Sequence, residues 1–273
     1  GDFSGTVSYN TANKCLVING TTVHMISANN PEDIDYTDYG INDALIIDNT
    51  GAFRDEEALS RHLTSKGASK VLLTAPGKGV PNIVHGVNHL DYDPDKVSIF
   101  SAASCTTNAL APLVRLLDDT FGVISGQMTT VHCYTGSQPT VDKPRQAPER
   151  SRAAALSMVP TTTSAQHQTG LVLPHMQGRI EARAIRVPTA SVSCIDLTVQ
   201  TREAVTENSV NSILKAASGA SPVFGWTEKP LVSADLRGRS ESIILSGPET
   251  SVSTGGLLRV FGWYDNEWGY SCR

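Results

Sequence analysis

ALIIDNTGAFRDEEALSRHLTSKGASKVLLTAP, residues 44–76, is the stretch that decides the fold. An apolar run at 44–48 (ALIID) leads into a turn at Asn49 to Gly51, then an amphipathic segment at 55–67 and a second apolar run at 70–76 (KVLLTAP). Ala58, Leu59, His62 and Leu63 share one face at helical spacing. Glu56 and Glu57 sit in a first turn, where the helix dipole favours acids, and Gly67 follows the end. Two apolar runs joined by one helix make a βαβ unit, which implies a parallel sheet with helices packed on it. NIVHGV (82–87) and VSIFS (97–101) are expected to add strands to that sheet.

Beyond this unit the pattern changes. A helix is expected after Cys105, with Leu110, Leu113, Val114 and Leu117 on its apolar face and Asp118 and Asp119 near its exit. Pro112 lacks the N–H an interior helical residue donates, so the helix is expected to begin later than Cys105 or to bend at Pro112. In SVSCIDLTVQT (191–201), Ile195, Leu197 and Val199 alternate with Asp196, Thr198 and Gln200, the period of a half-buried strand. A second helix runs from a Thr206 cap through Val210, Ile213, Leu214 and Ala217 to Gly219, and strands are expected at 231–235, 241–246 and 256–264. The fold class is therefore α/β: a parallel-sheet unit followed by an α+β unit with a mixed or antiparallel sheet, joined near Cys105.

With 273 residues, 40% hydrophobic and 18% charged, the chain has the composition of an ordinary globular protein of one large or two medium domains. A formal charge of −5 gives no global attraction to nucleic acid or to anionic membranes, and no apolar run reaches spanning length. The chain opens on polar GDFSGTVSYN, which does not read as a cleavable signal. Five cysteines, odd in number and without a CxxC pair, exclude a disulfide scaffold or zinc knuckle; no histidine spacing points to a metal either. A reducing, cytoplasmic setting and a metal-free site are the expectation.

SAASCTTN (101–108) sets Cys105 among small hydroxylated residues between a strand-like run and a helical pattern. A helix start offers unpaired N–H groups and a positive dipole end, and both favour a thiolate. A lone cysteine is more often a small buried hydrophobe, and Ser104, Thr106 and Thr107 serve equally as caps or as anion ligands. His132, at the end of the β-branched run in TTVHCYT (129–135), supplies the base a thiol needs near neutral pH. On its own it also reads as a structural histidine.

Four segments, SAASCTTN (101–108), TTVHCYT (129–135), IRVPTASVSCIDLTV (185–199) and WYDNEWGY (263–270), resemble in order the matching segments of phosphorylating glyceraldehyde-3-phosphate dehydrogenases. The separation of 27 between Cys105 and His132 is also similar to the family pattern. The resemblance implies an incomplete Rossmann-like NAD-binding domain at 1–104, towards which 266–273 returns, and a catalytic domain at 105–265. It implies a glycolytic oxidoreductase that converts glyceraldehyde 3-phosphate and inorganic phosphate to 1,3-bisphosphoglycerate through a Cys105 thiohemiacetal and thioester, with His132 as base. By the same resemblance Thr135 and Arg186 bind the substrate phosphate, and Ser104, Thr106, Thr163 and Ser164 belong to the pocket of the attacking phosphate. Thr50, Gly51, Thr74, Ala75, Asn266 and Tyr270 line the cofactor site. NAD is the implied cofactor, favoured by Pro144, with NADP as the alternative. The implied assembly is a homotetramer in which the loop 132–152 reaches a neighbour's cofactor.

The chain also departs from the family pattern. No GxGxxG precedes a helix anywhere, and the chain stops just after WYDNEWGY, where the family pattern continues with a helix, so the chain is expected to be truncated at both ends and to bind NAD poorly alone. Ala109 replaces a second cysteine, Ser164 and His167 replace the glycine and lysine of TGAAK, and Lys143 stands where a smaller residue is common. These changes bear more on the phosphorylating half-reaction than on hydride transfer. VRLLDDTFGVISG (114–126) and TEKPLVSADL (227–236) resemble erythrose-4-phosphate dehydrogenases, where water resolves the thioester; Thr135 favours the triose enzyme. A catalytically silent binding module is the other alternative.

Overall fold

The structure is a computed structural model that describes residues 3–273; residues 1 and 2, the start of the first expected domain, lie outside the described residues. Three strands that the sequence does not announce come first. β1 (Val7–Asn10), β2 (Cys15–Ile18) and β3 (Thr21–His24) form a small antiparallel meander, with Cys15 its one buried side chain.

The βαβ unit follows as expected. β4 (Ala44–Asp48) pairs in parallel with β5 (Ala68–Leu73), and β5 pairs in parallel with β6 (Ile99–Ser101). Between them, α1 (Glu56–Ser60) is capped by the Asp55 carboxylate, which accepts the Ala58 N–H at 2.9 Å. The helix tightens into a 3-10 turn at Arg61–Thr64, so only the first part of the expected 55–67 is α-helical. Leu59, fully buried, packs under the sheet with Val71, Leu73 and Val80. Gly67, at φ 87°, lets the chain turn into β5, where a Cβ would meet the Ile41 carbonyl at 2.5 Å.

The run 82–87 is not a strand. Only Asn82 bridges to Ser101, and side-chain amides take over the pairing: Asn88 Oδ1 accepts from the Val84 N–H at 2.8 Å, while its Nδ2 donates to the Asn82 carbonyl at 2.9 Å.

α2 (Cys105–Phe121) starts at Cys105 and runs unbroken through Pro112, so the late start is ruled out. The bond forfeited at Pro112 is offset by complete burial of Leu110, Leu113, Val114 and Leu117. It packs on an eight-stranded mixed sheet built from β7 (Val123–Cys133), β8 (Val159–Thr161), β9 (Ile180–Val187), β10 (Ser193–Thr201), β11 (Phe224–Thr227), β12 (Ile243–Ser246), β13 (Ser251–Val252) and β14 (Leu257–Tyr264). The order is β11-β12-β14-β10-β7-β9-β8, with β13 beside β14. In β10 the alternation holds: Ile195, Leu197 and Val199 are buried against α2.

α3 (Ala165–Val172) and α4 (Glu207–Ala220) complete the layer; Thr206 caps α4 as expected, but the helix passes through Gly219 and ends at Ala220. Residues 231–235 are no strand: Asp235 accepts from the Val232 N–H at 2.9 Å and starts a 3-10 turn at Ser233–Leu236 that buries Leu236. A final short helix, α5 (Trp268–Ser271), returns to α2, where the Tyr270 hydroxyl donates to the Ala103 carbonyl at 3.0 Å. Among the described residues no helix is long and apolar enough to cross a membrane.

Candidate active site

Strain marks the entry to α2. Ala103, fully buried, sits at φ 58°, a left-handed conformation that costs a non-glycine residue roughly 1–2 kcal/mol. It is held there by the Ser101 hydroxyl on its N–H at 2.9 Å and by Tyr270 on its carbonyl. The next residue, Ser104, caps α2 by accepting the Thr107 N–H at 3.0 Å, which places Cys105 at the first helical position.

Cys105 Sγ lies 3.6 Å from His132 Nε2, at the end of β7. The parallel register of β7 and β9 pairs His132 with Arg186, so the guanidinium stands beside the imidazole. Arg186 Nη1 is 2.7 Å from His132 Nδ1 and 3.2 Å from the Cys133 carbonyl, which itself lies 2.7 Å from Nδ1. A single ring nitrogen cannot accept from the guanidinium and donate to the carbonyl at once, so the two contacts belong to two tautomers.

Burial pushes the Cys105 thiol above its ordinary range, with hydrogen bonding from Thr106 working the other way. Burial, then the Arg186 charge, lower His132 to about 4. Thiol and imidazole are therefore both neutral near pH 7 in the free protein.

The hydroxyls expected around Cys105 divide by partner. The Thr106 hydroxyl is buried and shares the Tyr264 hydroxyl, at 2.9 Å, with Thr130 at 2.8 Å. Thr163 Oγ1 accepts the Ala165 N–H at 3.2 Å, and Ser164 is exposed at the start of α3 with no side-chain cap bond. Thr135 lies just past β7, its hydroxyl 2.9 Å from that of Ser137. A small recess beside Arg186 is lined by Ser137, Gln138, Arg150, Val159 and Thr161. Arg150 reaches it from the loop by donating to Thr161 Oγ1 at 2.6 Å. That second guanidinium went unremarked in the sequence; the one signal for it is a basic residue in a loop following His132.

The cofactor candidates occupy two places. Thr50, Gly51, Thr74 and Ala75 follow the C-terminal ends of β4 and β5, the edge where parallel sheets bind ligands. Buried Asp48 organises this edge: its carboxylate accepts from Thr50 N at 2.9 Å, Thr50 Oγ1 at 2.8 Å and His62 Nε2 at 2.9 Å. Asn266 is fixed from behind, where Cys133 Sγ and Ser193 Oγ lie 3.0 and 3.2 Å from its Oδ1. With its acceptor engaged, the amide presents its NH2 group, which suits a carboxamide carbonyl.

The profile described as "Glyceraldehyde 3-phosphate dehydrogenase, C-terminal domain" matches residues 104–266. The chain belongs to the glyceraldehyde-3-phosphate dehydrogenase family. It is 43% identical over 261 residues to glyceraldehyde-3-phosphate dehydrogenase 2 of a Nostoc species, covering 94% of this chain and 77% of that protein. The protein of the same name from Bacillus subtilis is 41% identical over 261 residues, 94% of this chain and 76% of that one. A glyceraldehyde-3-phosphate dehydrogenase-like protein of Pseudomonas aeruginosa is 39% identical over the whole of this chain and 60% of its own length. Membership makes this an NAD(P)-dependent dehydrogenase, an oxidoreductase acting on a small molecule.

Proposed function

We propose that the chain oxidises glyceraldehyde 3-phosphate with phosphorylation to 1,3-bisphosphoglycerate, Cys105 being the nucleophile and His132 the base. The observation that carries this reading is the sulfur-to-imidazole contact of 3.6 Å with a guanidinium on the far side of the ring. We read residues up to 104, together with 266–273, as the cofactor unit and 105–265 as the catalytic unit. Thr50, Gly51, Thr74, Ala75, Asn266 and Tyr270 would hold NAD, with NADP the alternative. When bound, that group supplies the hydride acceptor.

Arg186 gives the site a substrate-dependent trigger. In the free site its charge disfavours imidazolium, and donation to Nδ1 puts the ring proton on Nε2, where it cannot take the proton of the thiol. A substrate phosphate engaging Arg186, with Thr135 as its proposed second ligand, removes both effects. Nδ1 then donates to the Cys133 carbonyl and Nε2 accepts the Cys105 proton.

The thiolate attacks the aldehyde carbon, and the imidazolium returns a proton to the carbonyl oxygen, giving a thiohemiacetal. His132 takes that hydroxyl proton as the adduct is oxidised to the thioester. A phosphate oxygen bonds to the acyl carbon and the C–S bond breaks, its electron pair passing to sulfur. Ser104, Thr106, Thr163 and Ser164 form our proposed pocket for that phosphate, with the Cys105 and Thr106 N–H groups, which have no acceptor within α2, at its base.

A homotetramer in the cytoplasm is the setting we infer. The test is cofactor reduction with glyceraldehyde 3-phosphate, with and without inorganic phosphate. Sustained turnover only with phosphate is expected; turnover indifferent to phosphate would overturn the reading and favour hydrolysis.

A further inference from the structure

A buried chain of amides and hydroxyls runs from the loop after β5 to the cap of α2, and one end fixes all of its proton directions. The Gly77 N–H donates to Asn82 Oδ1 at 3.1 Å, and the Gly77 and Val80 carbonyls each accept from Asn82 Nδ2 at 3.1 Å. The Asn82 amide therefore cannot be reversed. Gln168 Nε2 donates to Asn82 Oδ1 at 3.0 Å, which leaves Gln168 Oε1 to accept the Thr107 hydroxyl proton at 2.8 Å. Thr107 Oγ1, its proton committed, is the acceptor in its 2.6 Å contact with Ser104 Oγ, so Ser104 is the donor. Asn82, Thr107 and Gln168 are 6%, 0% and 2% exposed, so the directions are not open to exchange with solvent.

The single proton of Ser104 thus points into the protein, and its oxygen already accepts the Thr107 N–H. What half-buried Ser104 offers a ligand is a lone pair. An oxyanion set against it is repelled, whereas a ligand oxygen that carries a proton is bound. Inorganic phosphate near neutral pH keeps a P–OH group; sulfate, of the same shape, has none.

We propose that Gln168 is a specificity-determining residue: through Thr107 it makes Ser104 an obligatory acceptor, which selects hydrogen phosphate over sulfate for cleavage of the thioester. This rests on the reading of Ser104 as part of the attacking-phosphate pocket. In the step, an unprotonated oxygen of hydrogen phosphate bonds to the acyl carbon and the C–S bond breaks with its electron pair passing to sulfur. The His132 imidazolium reprotonates that sulfur, and the P–OH proton stays on the phosphate, held by Ser104, until the acyl hydrogen phosphate leaves.

The test needs no cofactor. 1,3-Bisphosphoglycerate, whose second phosphate engages Arg186, acylates Cys105, and after removal of the excess reagent the decay of the thioester is followed in phosphate with sulfate as competitor. In the unmodified protein sulfate is expected to bind at least about tenfold more weakly than phosphate, because the site holds an acceptor that sulfate leaves unpaired. Gln168→Leu and Thr107→Val each remove the inward acceptor chain and free the Ser104 proton, so the ratio should fall about tenfold. Gln168→Glu, buried and protonated so that its O–H donates to Asn82 Oδ1, keeps an acceptor facing Thr107 and should retain the original preference. General damage to the site weakens both anions together and does not improve sulfate. The proposal is overturned if sulfate competes as well as phosphate in the unmodified protein, or if the ratio is unchanged in both Gln168→Leu and Thr107→Val. Decay that phosphate does not accelerate even in the unmodified protein overturns the pocket reading, and this proposal with it.

Discussion

Replacing Arg186 with Gln separates its two proposed roles, because they move different observables. His132 is held at about 4 against an ordinary 6.5, which at about 1.4 kcal/mol per pH unit amounts to roughly 3.4 kcal/mol against the imidazolium. Burial is the larger cause and the guanidinium 2.7 Å away the second, with the Cys133 carbonyl working the other way. Arg186→Gln should therefore raise the His132 pKa above about 4, with burial keeping it below 6.5. The same substitution removes a charge-assisted contact to the substrate phosphate, of about 1.5–3 kcal/mol, and should raise KM for glyceraldehyde 3-phosphate roughly tenfold to a hundredfold. NMR titration of the His132 ring reads the first effect and steady-state kinetics the second. A His132 pKa that stays put or falls further in Arg186→Gln would refute the trigger. A KM that stays put would refute the phosphate role.

His132 also makes stability depend on pH. The unfolded chain takes up a proton at this ring below about 6.5 and the folded chain only near 4, so stability should be intact above 6.5 and decline as pH falls through that window. The slope from this group is about 1.4 kcal/mol per pH unit, readable by urea unfolding, and His132→Gln should flatten it. Asp48→Ala strands the buried His62 ring and unties exposed Thr50, so it should cost about 1–3 kcal/mol and weaken cofactor binding, measured by unfolding and by calorimetry. Cys133→Ala removes the thiol that steadies Asn266; KM for the cofactor should rise severalfold while alkylation of Cys105 by iodoacetamide keeps its rate.

The parts of the fold written in local chemistry were legible in the sequence. The βαβ unit and the alternation of β10 each follow from residues a few positions apart, whereas Pro112 leaves the start of α2 open in the sequence, and burial of the helix's apolar face decides it. Cys105, His132 and Arg186 stand out as candidates because each lies in a short, recognisable segment, although nothing local says that β7 and β9 run parallel and bring the last two together. What stayed hidden depends on distant partners. Residues 82–87 read as a strand because their apolar run carries no sign that Asn82 and Asn88 will bind the backbone themselves. The Asn82–Gln168–Thr107 chain joins residues 86 and 61 positions apart, and Gln168 alone is an unremarkable polar residue in a helix. Arg150 is one of several basic residues in its loop, and only the pocket beside Arg186 distinguishes it.

The central claim is that Cys105 carries the acyl group, and intact-protein mass spectrometry with peptide mapping tests it directly. Mixed with 1,3-bisphosphoglycerate and no cofactor, the chain should gain one phosphoglyceroyl group as a thioester on Cys105, and excess inorganic phosphate should discharge it. The other free cysteines, Cys15, Cys133, Cys194 and Cys272, should stay unmodified. An unmodified Cys105, or an acyl group found on another of these cysteines, would contradict the account.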